Sequence, residues 1–244
     1  MATPAAVPVP TAPRLSFPAR VIGIITSPRA TFASIVAHPT WVAPWLLTAL
    51  IVGGANFAFL RTEVGQRALI EQQVSTMESF GQQVNDQVYE RLKAQASLGA
   101  YIQLVSIVVI TPIVLAVMAG ILYGVFAGIL GGGGTFKQAL AVVAHAGIVN
   151  VVQALFSTPL NYARGSMSSA TNLAVFFPFL PEGSFVANFL GMVDLFVLWW
   201  LLVLSMGLSV LYRRKTGSIM IGLCVVYFII AVGIAAIKAA MGNS

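Results

Sequence analysis

Apolar residues along this chain come in runs too long for a water-soluble core. Five runs, at about 41–60, 98–130, 139–159, 185–210 and 218–237, each reach the roughly 20 residues that a helix needs to cross a bilayer. The longest, Leu98–Leu130, holds no Asp, Glu, Lys, Arg or His and would extend about 50 Å as a helix. It stops at Gly131-Gly132-Gly133-Gly134, a sequence that helices tolerate badly. Ala139–Pro159 is then long enough to return. Along the first arm of this hairpin, Ala116, Gly120, Gly124 and Gly128 recur at every fourth position. In lipid, close backbone approach along small residues holds helices together, so a hairpin packed through that face is expected.

The polar pattern is equally informative. Arg61–Ser97 is the one strongly polar stretch, and within it Ile70, Val74, Met77, Phe80, Val84, Val88 and Leu92 step by three or four residues. That spacing predicts an amphipathic helix between spans 1 and 2, on the membrane surface or on a partner helix. Gly65 and Gly81 are its candidate break points. Near the N-terminus, Ser27-Pro28 reads as a helix start. Phe32, Ile35 and Val36 then share a face opposite Arg29, which predicts a short interfacial helix ended before Pro39. Val21–Ile25 offers a second. Residues 1–16, with four of the twelve prolines, are expected to be disordered. They contain no apolar h-region, so the first span is expected to serve as its own insertion signal. Phe176, Phe177, Phe179 and Leu180, in the loop before the fourth span, are placed to dip into the interface.

These elements give an all-α polytopic membrane protein. It has five transmembrane helices, a short N-terminal interfacial helix and the amphipathic segment 61–97, in one domain over 17–238 with a tail at 239–244. Composition agrees, with 58% hydrophobic and 8% charged residues, which excludes an ordinary soluble domain. The net charge of +6 is dispersed at span edges, so the partner it indicates is the bilayer and not nucleic acid. The single cysteine, Cys224, allows no intrachain disulfide, and no metal or cofactor is expected.

Charge also sets topology. Arg14, Arg20, Arg29, Lys137, Arg213, Arg214 and Lys215 fall on one side of a five-span chain with no acid beside them. Arg61, Arg67, Arg91, Lys93, Arg164 and Lys238 fall on the other with Glu63, Glu71, Glu78, Asp86, Glu90 and Glu182. The positive-inside bias then predicts a cytoplasmic N-terminus and an extracytoplasmic C-terminus in the cell's inner membrane. Arg213-Arg214-Lys215 is the densest positive cluster, suited to anionic lipid headgroups at about 1 kcal/mol per cation as well as to fixing topology.

Asp194 is the only acid inside a predicted span, where a charge costs at least about 2.5 kcal/mol. Gln153 and Asn56 fall near its depth and Asn150 slightly deeper, whereas His145 lies about 10 Å nearer the cytoplasm. Two readings are open: a polar layer for an ion, a proton or a lipid headgroup, or a hydrogen-bonded clamp that fixes the bundle. Interhelical polar contacts commonly serve as glue, which favours the clamp. His145, a lone histidine in a span, reads as bonded to a backbone carbonyl or a neighbour. The glycine run is followed by Lys137 but lacks the G-x-x-x-x-G-K-[ST] order of a phosphate loop. No H-E-x-x-H or G-x-S-x-G is present, so no enzyme is expected.

The blocks SPRATFASIVAHPTW (27–41), GGGGTFKQALAVVAHA (131–146) and DLFVLWWLLVLSMGLS (194–209), in this order ahead of a basic turn, resemble the YIP domain family of Ypt/Rab-interacting-protein-like membrane proteins, in its bacterial branch. The likeness runs from about residue 17 to 238. It implies five spans and a cytoplasmic N-terminus. Eukaryotic members associate with small GTPases and with each other in early secretory membranes. Nothing here matches their partner-binding segment, and for bacterial members the family implies no established activity. The expected function is therefore a membrane-organising or scaffolding protein acting by helix association with itself or other membrane proteins. The alternative is a small transporter, channel or lipid-moving protein built on the layer around Asp194.

Overall fold

A computed structural model describes residues 12–181 and 183–241. Of the stretch 1–16 expected to be disordered, residues 1–11 lie outside the described residues, as do the last three of the tail. Leu15 N–H donates to Ser34 Oγ at 3.1 Å and Ser16 caps α1, so the end of that stretch is held to the fold. The chain is all-α, with ten α-helices among the described residues: α1 (Phe17–Thr26), α2 (Pro28–Ala37), α3 (Val42–Leu60), α4 (Glu63–Ser79), α5 (Asp86–Tyr123), α6 (Phe136–Ala146), α7 (Ile148–Arg164), α8 (Phe185–Met192), α9 (Leu195–Tyr212) and α10 (Thr216–Met241). A π-helical stretch, Gly124–Ile129, extends α5, and a 3₁₀ turn covers Leu173–Phe176. Five helical units are long and apolar enough to cross a membrane: Val42–Leu60, Asp86–Ile129, Phe136–Arg164, Leu195–Tyr212 and Thr216–Met241.

The third of these units is the axis of the bundle. In its most apolar stretch 72% of the residues are buried within the protein, against 6% for α5. The cause is in the side chains of α6. Ala139, Ala141, Ala144 and Ala146 let neighbours approach from every side, and all are buried. The helix starts where it does because Thr135 and Gln138 form a capping box, following Gly131 (φ 64°) and Gly134 (φ 122°), whose positive φ angles turn the chain.

Around this axis, two boundaries and the direction of one helix face differ from the sequence-based expectation. The second span does not begin at residue 98, because α5 is continuous from Asp86, where Asn85 accepts from the Val88 N–H. The polar stretch is thus α4 plus the first turns of α5, and it breaks at Gly81 (φ 70°) alone. Gly65 instead stays helical, where a Cβ would come within 2.1 Å of the Phe59 carbonyl oxygen. The fourth span is divided: α8 ends at Met192, Val193 is extended (φ −84°, ψ 97°), and α9 begins at Leu195. Finally, the apolar face of the predicted interfacial helix points into protein. α1 and α2 form two short helices, and Ile24, Phe32 and Ile35 join the main core with Val142, Val203 and Leu208. Gln138 Nε2 donates to the Val36 carbonyl at 2.9 Å, tying α6 to α2.

Chain direction gives the bundle two chemically different ends. The starts of α3, α6 and α10 and the ends of α5 and α9 lie at one end, with Arg14, Arg20, Arg29, Lys137 and Arg213–Lys215. At the other end lie α4, the start of α5, and every Asp and Glu among the described residues.

Helix α9 meets the core at Gly207. A methyl group there would come within 2.6 Å of Val142 Cγ1 and 2.8 Å of Phe32 Cε1, two buried side chains that cannot swing away. Gly207→Ala is expected to cost about 1–3 kcal/mol through overpacking. Thermal unfolding in detergent checks this, and an unchanged midpoint would contradict the packing described.

Candidate functional site

Among the described residues, the Asp194 carboxylate accepts four hydrogen bonds. Its Oδ1 accepts from the backbone N–H groups of Phe196 (2.8 Å) and Val197 (3.4 Å), so it is the N-cap of α9. A carboxylate there satisfies orphan amide groups and meets the positive end of the helix dipole. Its Oδ2 accepts from Thr171 Oγ1 at 2.7 Å and from Ser169 Oγ. Backbone bonds reinforce the joint: Leu173 N–H donates to Val193 O at 2.9 Å and Leu195 N–H to Thr171 O at 3.1 Å. The Tyr227 hydroxyl of α10 donates to Met192 O. The carboxylate is buried and fully occupied, and it joins the loop after α7 to the start of α9.

The residues grouped with it by depth sit apart from this network. Asn56 Nδ2 donates to Val52 O within its own helix at 2.9 Å. Gln153 is half-buried and Asn150 is exposed. Among the described residues no hydrogen bond joins Asp194 to Asn56, Asn150 or Gln153. The depth matching assumed an unbroken span, whereas the break at Val193 puts Asp194 at a helix end facing a loop. A short polar side chain at an N-cap is the one sequence signal that marked this.

The small-residue ladder is also placed differently. The α5–α6 hairpin closes through the buried Ala119, Leu122 and Phe126, and Phe126 stacks on Tyr212 with ring centroids 4.9 Å apart. Ala116 is half-buried, and a Cβ on Gly120 would reach only Phe136 Cε2 at 4.0 Å. Gly124 and Gly128 are exposed, with nothing within 4 Å of a Cβ on either. The ladder therefore does not pack the hairpin. It turns away from the chain.

At the basic end, Arg213 adopts a left-handed conformation (φ 52°) as C-cap of α9. Arg214 Nη2 donates to Leu130 O at 2.8 Å, fastening the α9–α10 turn to the end of the second span. Arg213, Arg214 and Lys215 are all exposed. His145 is fully buried, and its Nδ1 bonds the Ala141 carbonyl at 2.8 Å.

Arg20, by sequence one of the topology charges, is buried at 4% exposure. Its Nη1 donates to His38 O (3.1 Å) and Thr40 Oγ1 (3.0 Å), clasping the chain between α2 and α3, while Nε has no partner. Burial, and then the charge of Arg14, push its pKa below the usual arginine value. Its place in the apolar run FPARVIGII was the available signal.

Residues 22–237 match the Yip1 domain. The chain belongs to that family. No curated protein and no solved structure matches it. The Yip1 domain here runs from α1 to α10, so it takes in the exposed ladder, the Asp194 joint and the Thr40 side of the Arg20 clasp.

Asp194→Ala removes the α9 cap and leaves two hydroxyls without their acceptor, at an expected cost of about 2–4 kcal/mol. Asp194→Asn keeps a capping oxygen and should lose less than half of that. Chemical unfolding in detergent checks the order, and equal losses would mean that the negative charge itself holds the joint.

Proposed function

We propose that this Yip1-family membrane protein is a non-enzymatic scaffold that organises other membrane proteins, or copies of itself, by helix association along Ala116–Gly128. The observation that carries this reading is the outward placement of Gly124 and Gly128, with open space where a side chain would be. Bare backbone facing lipid gains nothing from lipid and can be covered closely by a second helix. In this reading the N-terminus is cytoplasmic, the C-terminus is extracytoplasmic, and the membrane is the cell's inner membrane. Arg213, Arg214 and Lys215 then face anionic headgroups on the cytoplasmic side, supported by their joint exposure. The transport reading has less support, because every bond described for Asp194 holds the fold together.

Gly124→Leu separates association from folding, since nothing inside the chain stands within 4 Å of that position. The variant is expected to keep its unfolding midpoint and to lose about 1–2 kcal/mol of association, about five- to thirty-fold in complex formation. Crosslinking of the full chain in native membranes, read beside energy transfer between labelled copies in vesicles, measures it. Unchanged assembly would overturn the reading. An ion flux in vesicles that vanishes in Asp194→Asn would favour transport.

A further inference from the structure

The basic end of the bundle contains a buried cation for which the chain supplies no anion among the described residues. Arg20 is covered by protein, its Nε has no partner, and its Nη1 meets two neutral oxygens. Guanidinium stays charged in proteins, and a buried charge without a counter-charge is costly. The ion pairs among the described residues, Arg67–Glu63 and Lys93–Glu90, lie at the far end, where all the described carboxylates are. Any compensating anion would therefore come from outside these residues.

The surroundings of Arg20 narrow the choice. Thr40 Oγ1 accepts from Arg20, so the Thr40 O–H remains free to donate elsewhere. Thr40 also lines a groove of about 490 Å³ at the foot of α3, together with Trp41, Val42, Leu46 and Lys137. Lys137 is exposed and belongs to no ion pair among the described residues. Apart from Thr40 and Lys137 these walls are apolar, and Val42 and Leu46 are about half exposed. A free inorganic anion would leave that surface unused, whereas an anion carrying a hydrocarbon chain covers it. Trp41 has the amphipathic ring that favours headgroup level.

We propose that this groove binds one anionic phospholipid. Its phosphate is held by Lys137 Nζ and the Thr40 hydroxyl, with the positive charge of Arg20 directly behind Thr40, and an acyl chain lies along Val42 and Leu46. The site is separate from the basic turn at Arg213–Lys215 and does not depend on the scaffold reading.

Native mass spectrometry of the full chain in mild detergent tests this, by titration with phosphatidylglycerol and, separately, phosphatidylcholine. One phosphatidylglycerol is expected to be retained at concentrations where phosphatidylcholine is not. Lys137→Gln should weaken that retention about fivefold, the equivalent of about 1 kcal/mol per interfacial cation. Thr40→Val should weaken it further, while Thr40→Ser, which keeps the hydroxyl, should restore it. Arg213→Gln with Arg214→Gln should leave this first lipid in place. Equal retention of both lipids, indifference to Lys137→Gln, or loss in the Arg213/Arg214 variant instead would each overturn the proposal. Displacement by millimolar inorganic phosphate would overturn the lipid as the source of the anion.

Discussion

Within a bilayer, lipid tails solvate apolar side chains as well as another helix does, so what holds this bundle is how closely backbones approach. The alanines of α6 are buried on every side, and at Gly207 of α9 the side chains of Val142 and Phe32 pack straight onto the backbone. Phe32 then reaches across from α2 to fill the space that these small residues leave. The two short N-terminal helices are part of the core for this reason, and Gln138 and Arg20 fasten them with polar bonds at the rim.

Buried charge is handled differently at the two ends. Asp194 is met by two backbone amides and two hydroxyls, so its negative charge is neutralised by dipoles within a few ångströms. Arg20 is met by two oxygens and a neighbouring arginine, which adds to the positive potential. The first arrangement is complete as a structural joint. The second leaves an attraction directed outwards. Confinement of the described carboxylates to the far end makes these two solutions differ, since none of them reaches Arg20.

Hydropathy made the number of spans legible, because lipid imposes length and composition directly, and Ser27-Pro28 marked the start of α2. Interior geometry was harder to read. A four-residue spacing of small side chains marks a face of a helix but not what that face meets. In α5 the closing face is Ala119–Leu122–Phe126, offset from the glycines. An apolar run likewise does not reveal a break inside it: Leu190 to Phe196 reads as continuous apart from Asp194, and the acid is both the interruption and the cap of α9. The role of Arg20 depended on the tertiary position of α1, which no local pattern specifies.

The break at Val193 also shortens the fourth crossing. With 18 residues, α9 is about 27 Å long, slightly less than the roughly 30 Å of a typical hydrocarbon core. The 19 residues of α3 make a crossing of about 28 Å. The unit Asp86–Ile129 is far longer, at 44 residues. The two short helices suit a hydrocarbon layer slightly thinner than the typical one, whereas the longest unit has residues to spare for leaning or projecting beyond it. The same fold thus presents two short crossings and one long one to a single bilayer, a mismatch that tilt and local changes of thickness have to absorb.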